Sequence, residues 1–122
     1  MRGIKSEHFA ETVDCRGCTV TFNGSRMRDE DTDRIMQTRM TATYAVKGCW
    51  SNSVTVRWET GDAPYGAWSS GGVEKDADNV LVLRNLSWAL ADASTLVNHW
   101  RGNDIDKEFD RMRARANQVA ST

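Results

Sequence analysis

The 122-residue sequence contains one proline, three cysteines and two histidines, and its 16 basic and 17 acidic side chains nearly cancel, to a formal net charge of −1. Each scarcity excludes something. Three cysteines cannot all pair within one chain, and a disulfide framework ordinarily uses an even number in an oxidising compartment, so reduced thiols are expected. Neither histidine sits in a metalloprotease helix pattern. Balanced charge creates no overall field that would draw in nucleic acid or an anionic membrane. No uncharged apolar run approaches the ~18 residues of a spanning helix, and the opening MRGIKSEHFAET interleaves charges where a secretory signal would be apolar. A soluble, cytoplasmic chain without a membrane partner is expected. A phosphate-cradling glycine loop and a Gly-x-Ser-x-Gly elbow are also missing, which disfavours an enzyme.

What is present suits one globular domain spanning residues 1–122, long enough to bury roughly two-thirds of its unfolded surface. Hydrophobic residues make up 39% and charged residues 27%. Arginine outnumbers lysine twelve to four, which supplies forked donors for carboxylate, phosphate and aromatic partners. Five tryptophans (Trp50, Trp58, Trp68, Trp88, Trp100) each carry a large apolar body with an N–H that needs an acceptor when buried.

Along the chain, residues 15–59 read as a β-rich half, 60–77 as a long loop and 78–119 as a helical hairpin. Residues 4–13 place Ile4, Phe9 and Val13 at loose helical spacing, and their state is open. Residues 18–22 (CTVTF) predict a strand ending in a tight turn at Asn23-Gly24, with a short return strand over 25–28. Residues 29–33 (DEDTD) are too acidic to bury. From Ile35 to Val46 two periods compete, and Thr38, Thr41 and Thr43 favour the strand. Residues 53–59 alternate with Val54, Val56 and Trp58 inward. Further on, Leu83, Leu90 and Val97 recur at seven-residue spacing, with Leu86, Ala93 and Trp100 interleaved, which predicts one helical stripe. Gly102 ends that helix, and Asn103 or Asp104 caps a second one whose stripe is Ile105, Phe109, Met112, Ala116 and Val119. The expected fold is α+β: a small antiparallel sheet of about three to five strands, its Met36/Met40/Tyr44/Val54/Val56/Trp58 face packed against two C-terminal helices.

Four clusters could carry chemistry. The two-residue gap in Cys15-Arg16-Gly17-Cys18 would let both thiolates reach one tetrahedral zinc, with Cys49 as third ligand and His8 or His99 as fourth. Cys49 stands alone where a second paired knuckle is usual, so small apolar side chains are the better account and no cofactor is expected. Asp29, Asp31 and Asp33 mimic the start of a calcium loop, but Arg34 and Met40 stand where its glycine and bidentate glutamate belong. Arg111, Arg113 and Arg115 could grip phosphates, although cations complementing a helix C-terminus explain them better. Tyr65 and Trp68, set among Pro64, Gly66, Ser69 and Ser70, have the rigid-aromatic, small-neighbour composition of contact surfaces. Trp50 in the neighbouring turn and Trp88, off the helix stripe, extend that set.

These features point to a non-enzymatic protein-binding module that acts by occluding its partner through Trp50, Tyr65, Trp68 and Trp88. Compact, motif-poor domains of this kind are carried by phages and plasmids as inhibitors of host machinery, including nucleic-acid-guided defence, and that is the context expected. The alternatives are a self-assembling structural protein using Trp88 and the final helix, or a small RNA- or DNA-binding domain using Arg111, Arg113 and Arg115.

Overall fold

The computed structural model describes residues 3–48, 52–69 and 79–120. Five strands, β1 (Ile4–Cys15), β2 (Cys18–Asp29), β3 (Ile35–Val46), β4 (Ser53–Glu59) and β5 (Tyr65–Ser69), form one antiparallel meander in the order β1-β2-β3-β4-β5. Helices α1 (Asn79–Arg101) and α2 (Ile105–Ala120) follow and lie on one face of it. This is the expected α+β arrangement.

Several elements form where local chemistry dictates. Between β2 and β3, the Asp29 carboxylate accepts the N–H groups of Asp31 and Thr32 at 2.9 and 3.2 Å, and Asp33 takes a left-handed φ of 59°. The acidic tract is therefore a wet turn, as its composition required. Asp104 caps α2 by accepting the N–H groups of Asp106 and Lys107 at 2.9 and 3.2 Å.

Other expectations are corrected. Residues 4–13 are strand, and the alternation was hidden because Glu7 and Glu11 point inward beside Phe9. Asn23-Gly24 is no turn: β2 runs straight through it, and no separate return strand exists over 25–28. Gly24 stands opposite Phe9, whose ring fills the space a Cβ would need. The turn lies instead at Arg16-Gly17, where Gly17 has φ +76° and Cys15 pairs with Cys18. The tract read as loop from residue 60 contains β5, paired to β4 from Arg57↔Tyr65 to Ser53↔Ser69.

The core lies between sheet and helices. Phe9 meets Phe109 edge-on with centroids 5.2 Å apart, and Trp58 stacks on Trp100 at 5.8 Å. Trp58 Nε1 donates to the Asp62 carbonyl at 3.2 Å, whereas the buried N–H of Trp100 finds no acceptor among the described residues. Met40, Ala42, Tyr44, Val54 and Val56 are buried as expected, but Met36 is exposed. The helical layer reaches only to Thr38, whose hydroxyl donates to Asp106 in the first turn of α2.

The phase of α1 also differs from expectation. Ala93, Val97 and Trp100 are buried, but Leu83 is 64% and Leu90 42% exposed, and the buried row begins at Val82 and Ala89 instead. Apolar residues stand on two sides of this helix, so periodicity alone could not select the buried one. Within Val80–Arg101 an 18-residue stretch has a mean hydropathy of 1.2, so by length and composition this helix could cross a membrane, and 28% of that stretch is buried against the rest of the chain. On α2, Val119 is likewise exposed.

Candidate functional site

Two surfaces of the sheet differ sharply in character. Toward α2, charges are buried and matched. The Glu7 carboxylate accepts from Arg26 at 3.0 and 3.3 Å, from Arg28 at 3.1 Å and from Arg113 at 2.7 Å. Chiefly Arg26, with Arg28, holds the Glu7 carboxyl at about 2, against the desolvation that would raise it. Arg26, 3% exposed, also reaches Asp110 at 2.7 Å and lies 4.3 Å over the Phe109 ring. Arg115 donates to Glu11 at 3.1 Å. Burial works to raise the Glu108 carboxyl, but Arg111 and His99 hold it below its ordinary value. Arg111, Arg113 and Arg115 are thus all engaged with carboxylates of β1 and α2. Glu7 and Glu11, which receive Arg113 and Arg115, sit on a strand whose alternation they mask, and those two pairings join residues far apart in the chain. The one legible signal was Phe9 between two glutamates.

The CxxC segment is a hairpin turn seated on α1. Cys15 Sγ donates to Asp92 at 3.4 Å, and burial with the adjoining Cys15 thiol pushes Cys18 up to about 12. The Cys18 thiol is therefore protonated near neutrality and poorly nucleophilic. Trp88, half-buried, lies under Arg16 and Arg84 at 4.2 and 5.3 Å. Asn85 Nδ2 donates to the Lys47 carbonyl, and Lys47 N–H to the Gly17 carbonyl, both at 3.0 Å. Trp88 thereby supports a turn rather than projecting as a handle. His8 faces away from the thiols, and His99 meets Glu108 at 3.4 Å. Among the described residues no three His, Cys, Asp or Glu stand close enough to hold a metal ion. Cys49 and Trp50 lie outside the described residues, as does the side chain of Trp68, whose backbone pairs with Val54.

Among the described residues no helix packs on the opposite face of the sheet. Antiparallel register aligns its side chains in ranks across the strands. One rank is Thr12, Thr21, Thr43 and Thr55, with the first two hydroxyls 3.4 Å apart. The next is Ala10, Asn23, Thr41, Arg57 and Tyr65. The third is His8, Ser25, Arg39 and Glu59. Low hydroxyl-bearing side chains thus adjoin taller cationic and aromatic ones. Tyr65 is 46% exposed on the edge strand, next to exposed Arg57. Between His8 and Arg39 the surface sinks into a hollow of about 680 Å³, where Ala10, Asn23, Gly24 and Ser25 are small and Asn117 of α2 adds to the lining. Arg39 meets Glu59 at 3.4 Å in an exposed pair, and His8 and Arg57 have no ion-pair partner among the described residues.

Of the sequence-expected contact residues, the structure thus places Tyr65 on this open face and Trp88 at the far turn. It adds His8, Arg39 and Arg57, which no local motif marks. No protein-family model matches the chain, and no curated protein or solved structure shows detectable similarity to it.

Proposed function

We propose that the chain is a non-enzymatic protein-binding module whose working surface is the open face of the sheet, and that it acts by occluding its partner. The observation that carries this reading is the exposed Arg57–Tyr65 pair at the β4–β5 edge, beside a five-stranded platform over which no helix packs among the described residues. An antiparallel sheet can leave a polar face wet without any role. Here that face also bears a hollow and two residue types, Tyr and Arg, that dominate the energetic centres of protein interfaces. On a chain carried by a phage or plasmid, such occlusion would block a host machine, nucleic-acid-guided defence included.

Capture from an extract of the source cells tests the reading. Immobilised protein should retain the same partner when exposed Lys107 is changed to Ala, and lose it when Arg57 and Tyr65 are both changed to Ala. Undiminished retention by the double variant would overturn it.

One observation favours a second reading, self-association. Val80, Leu83 and Leu90 leave exposed apolar side chains along α1, at 76%, 64% and 42% exposure, with Leu90 bordering a hollow beside Val54 and Gly66. Sedimentation should then show an oligomer that Leu83→Ser with Leu90→Ser dissolves. A concentration-independent monomer would dispose of this role.

A further inference from the structure

The hollow on the open face has walls of opposite function to its floor. His8 of β1 and Arg39 of β3 rise on either side, and between them Asn23, Ser25 and Thr41 offer neutral hydrogen-bonding groups. Arg39 has its fork only partly occupied: its contact with Glu59 is a single 3.4 Å approach between side chains 58% and 46% exposed. Pairs of that kind contribute less than about 1 kcal/mol and yield readily to a better acceptor. His8 makes no ion pair among the described residues, and Arg57, one rank away, makes none either. Arg39 is therefore the formal cation of the hollow, with part of its fork free, and the threonine rank beside it is uncharged.

We propose that this hollow receives a carboxylate side chain from an acidic segment of the partner protein, laid across β1–β3. The inference rests on the reading of the open face as the docking surface and adds the chemistry of what docks. Arg39 supplies the forked donor that matches a carboxylate, and Asn23, Ser25 and Thr41 satisfy the oxygens it leaves free. A protein carboxylate fits better than a nucleic-acid backbone. A phosphate polymer needs several cations in a row, whereas here the cationic groups are few and Arg111, Arg113 and Arg115 are held by Glu108, Glu7 and Glu11.

Amide spectra of the 15N-labelled full chain provide the test, with a hexaglutamate peptide as probe. Saturable shifts are expected at residues 8, 10, 23, 25, 39 and 41. Arg39→Ala, with its spectrum still dispersed, should weaken the interaction by about tenfold, and Lys107→Ala should leave it unchanged. Hexauridylate is the competing probe and should bind these amides more weakly than hexaglutamate. The proposal is overturned if hexaglutamate fails to saturate by about 5 mM, if Lys107→Ala weakens it as much as Arg39→Ala, or if hexauridylate binds the same amides more tightly. Any of these outcomes removes the acidic-segment assignment whether or not capture depends on Arg57 and Tyr65, which tests the surface itself.

Discussion

Glu7 illustrates how a single buried charge can organise a strand, a neighbour and a helix together. It accepts from Arg26, Arg28 and Arg113, and removing a buried carboxylate from such a cluster is costly because it leaves buried positive charge undercompensated. Glu7→Gln should destabilise the protein by roughly 3–5 kcal/mol at neutral pH, read from the denaturant midpoint. The sign of the pH effect follows from the lowered value. A carboxyl at about 2 when folded and 4.5 when unfolded stabilises fully above 4.5, and that contribution fades as pH falls from 4.5 to 2. The shift corresponds to up to about 3 kcal/mol. Midpoints of the wild type should decline across that window, with a shallower decline in Glu7→Gln. Gly24 gives a steric counterpart. Gly24→Ala should cost about 1–3 kcal/mol because its methyl meets the Phe9 ring. In a Phe9→Leu background that penalty should shrink, a coupling that a double-mutant cycle measures directly.

At the scale of elements, α2 depends on its cap and on the strand beneath it. Asp104→Ala leaves the N–H groups of Asp106 and Lys107 without their acceptor. It should lower stability by about 1 kcal/mol, a fall of about 4 °C in Tm by calorimetry. Elements with a clean local signature were readable from the chain: β4 by its alternating valines, the Asp29–Asp33 turn by its acids, α2 by its stripe and cap. Those that failed did so for identifiable physical reasons. Inward carboxylates concealed β1, a glycine needed for a ring imitated a turn in β2, and a helix apolar on two sides disguised which row of α1 is buried. In each case a partner distant in sequence overrode the local preference.

For the molecule as a whole, the two faces of the sheet should respond differently to substitution. Arg39→Ala, Arg57→Ala and Tyr65→Ala alter exposed side chains with no core partner, so each should shift the unfolding free energy by no more than about 0.5 kcal/mol. A larger loss in thermal or chemical denaturation would mean that the open face contributes to folding. Of this surface only Tyr65 could be singled out beforehand, through its loop-like composition. His8, Arg39 and Arg57 become neighbours through strand register, and register is a relation between segments that no single segment records.

Glu7 and Arg113 are 106 positions apart, and Glu11 and Arg115 are 104. The meander can zip up hairpin by hairpin, with Arg26 and Arg28 of β2 already meeting Glu7, but Glu11 of its first strand is met by Arg115 of α2. A ribosome-bound nascent chain would therefore carry a sheet with one face uncovered until α2 clears the exit tunnel, so closure of the interior waits on that helix.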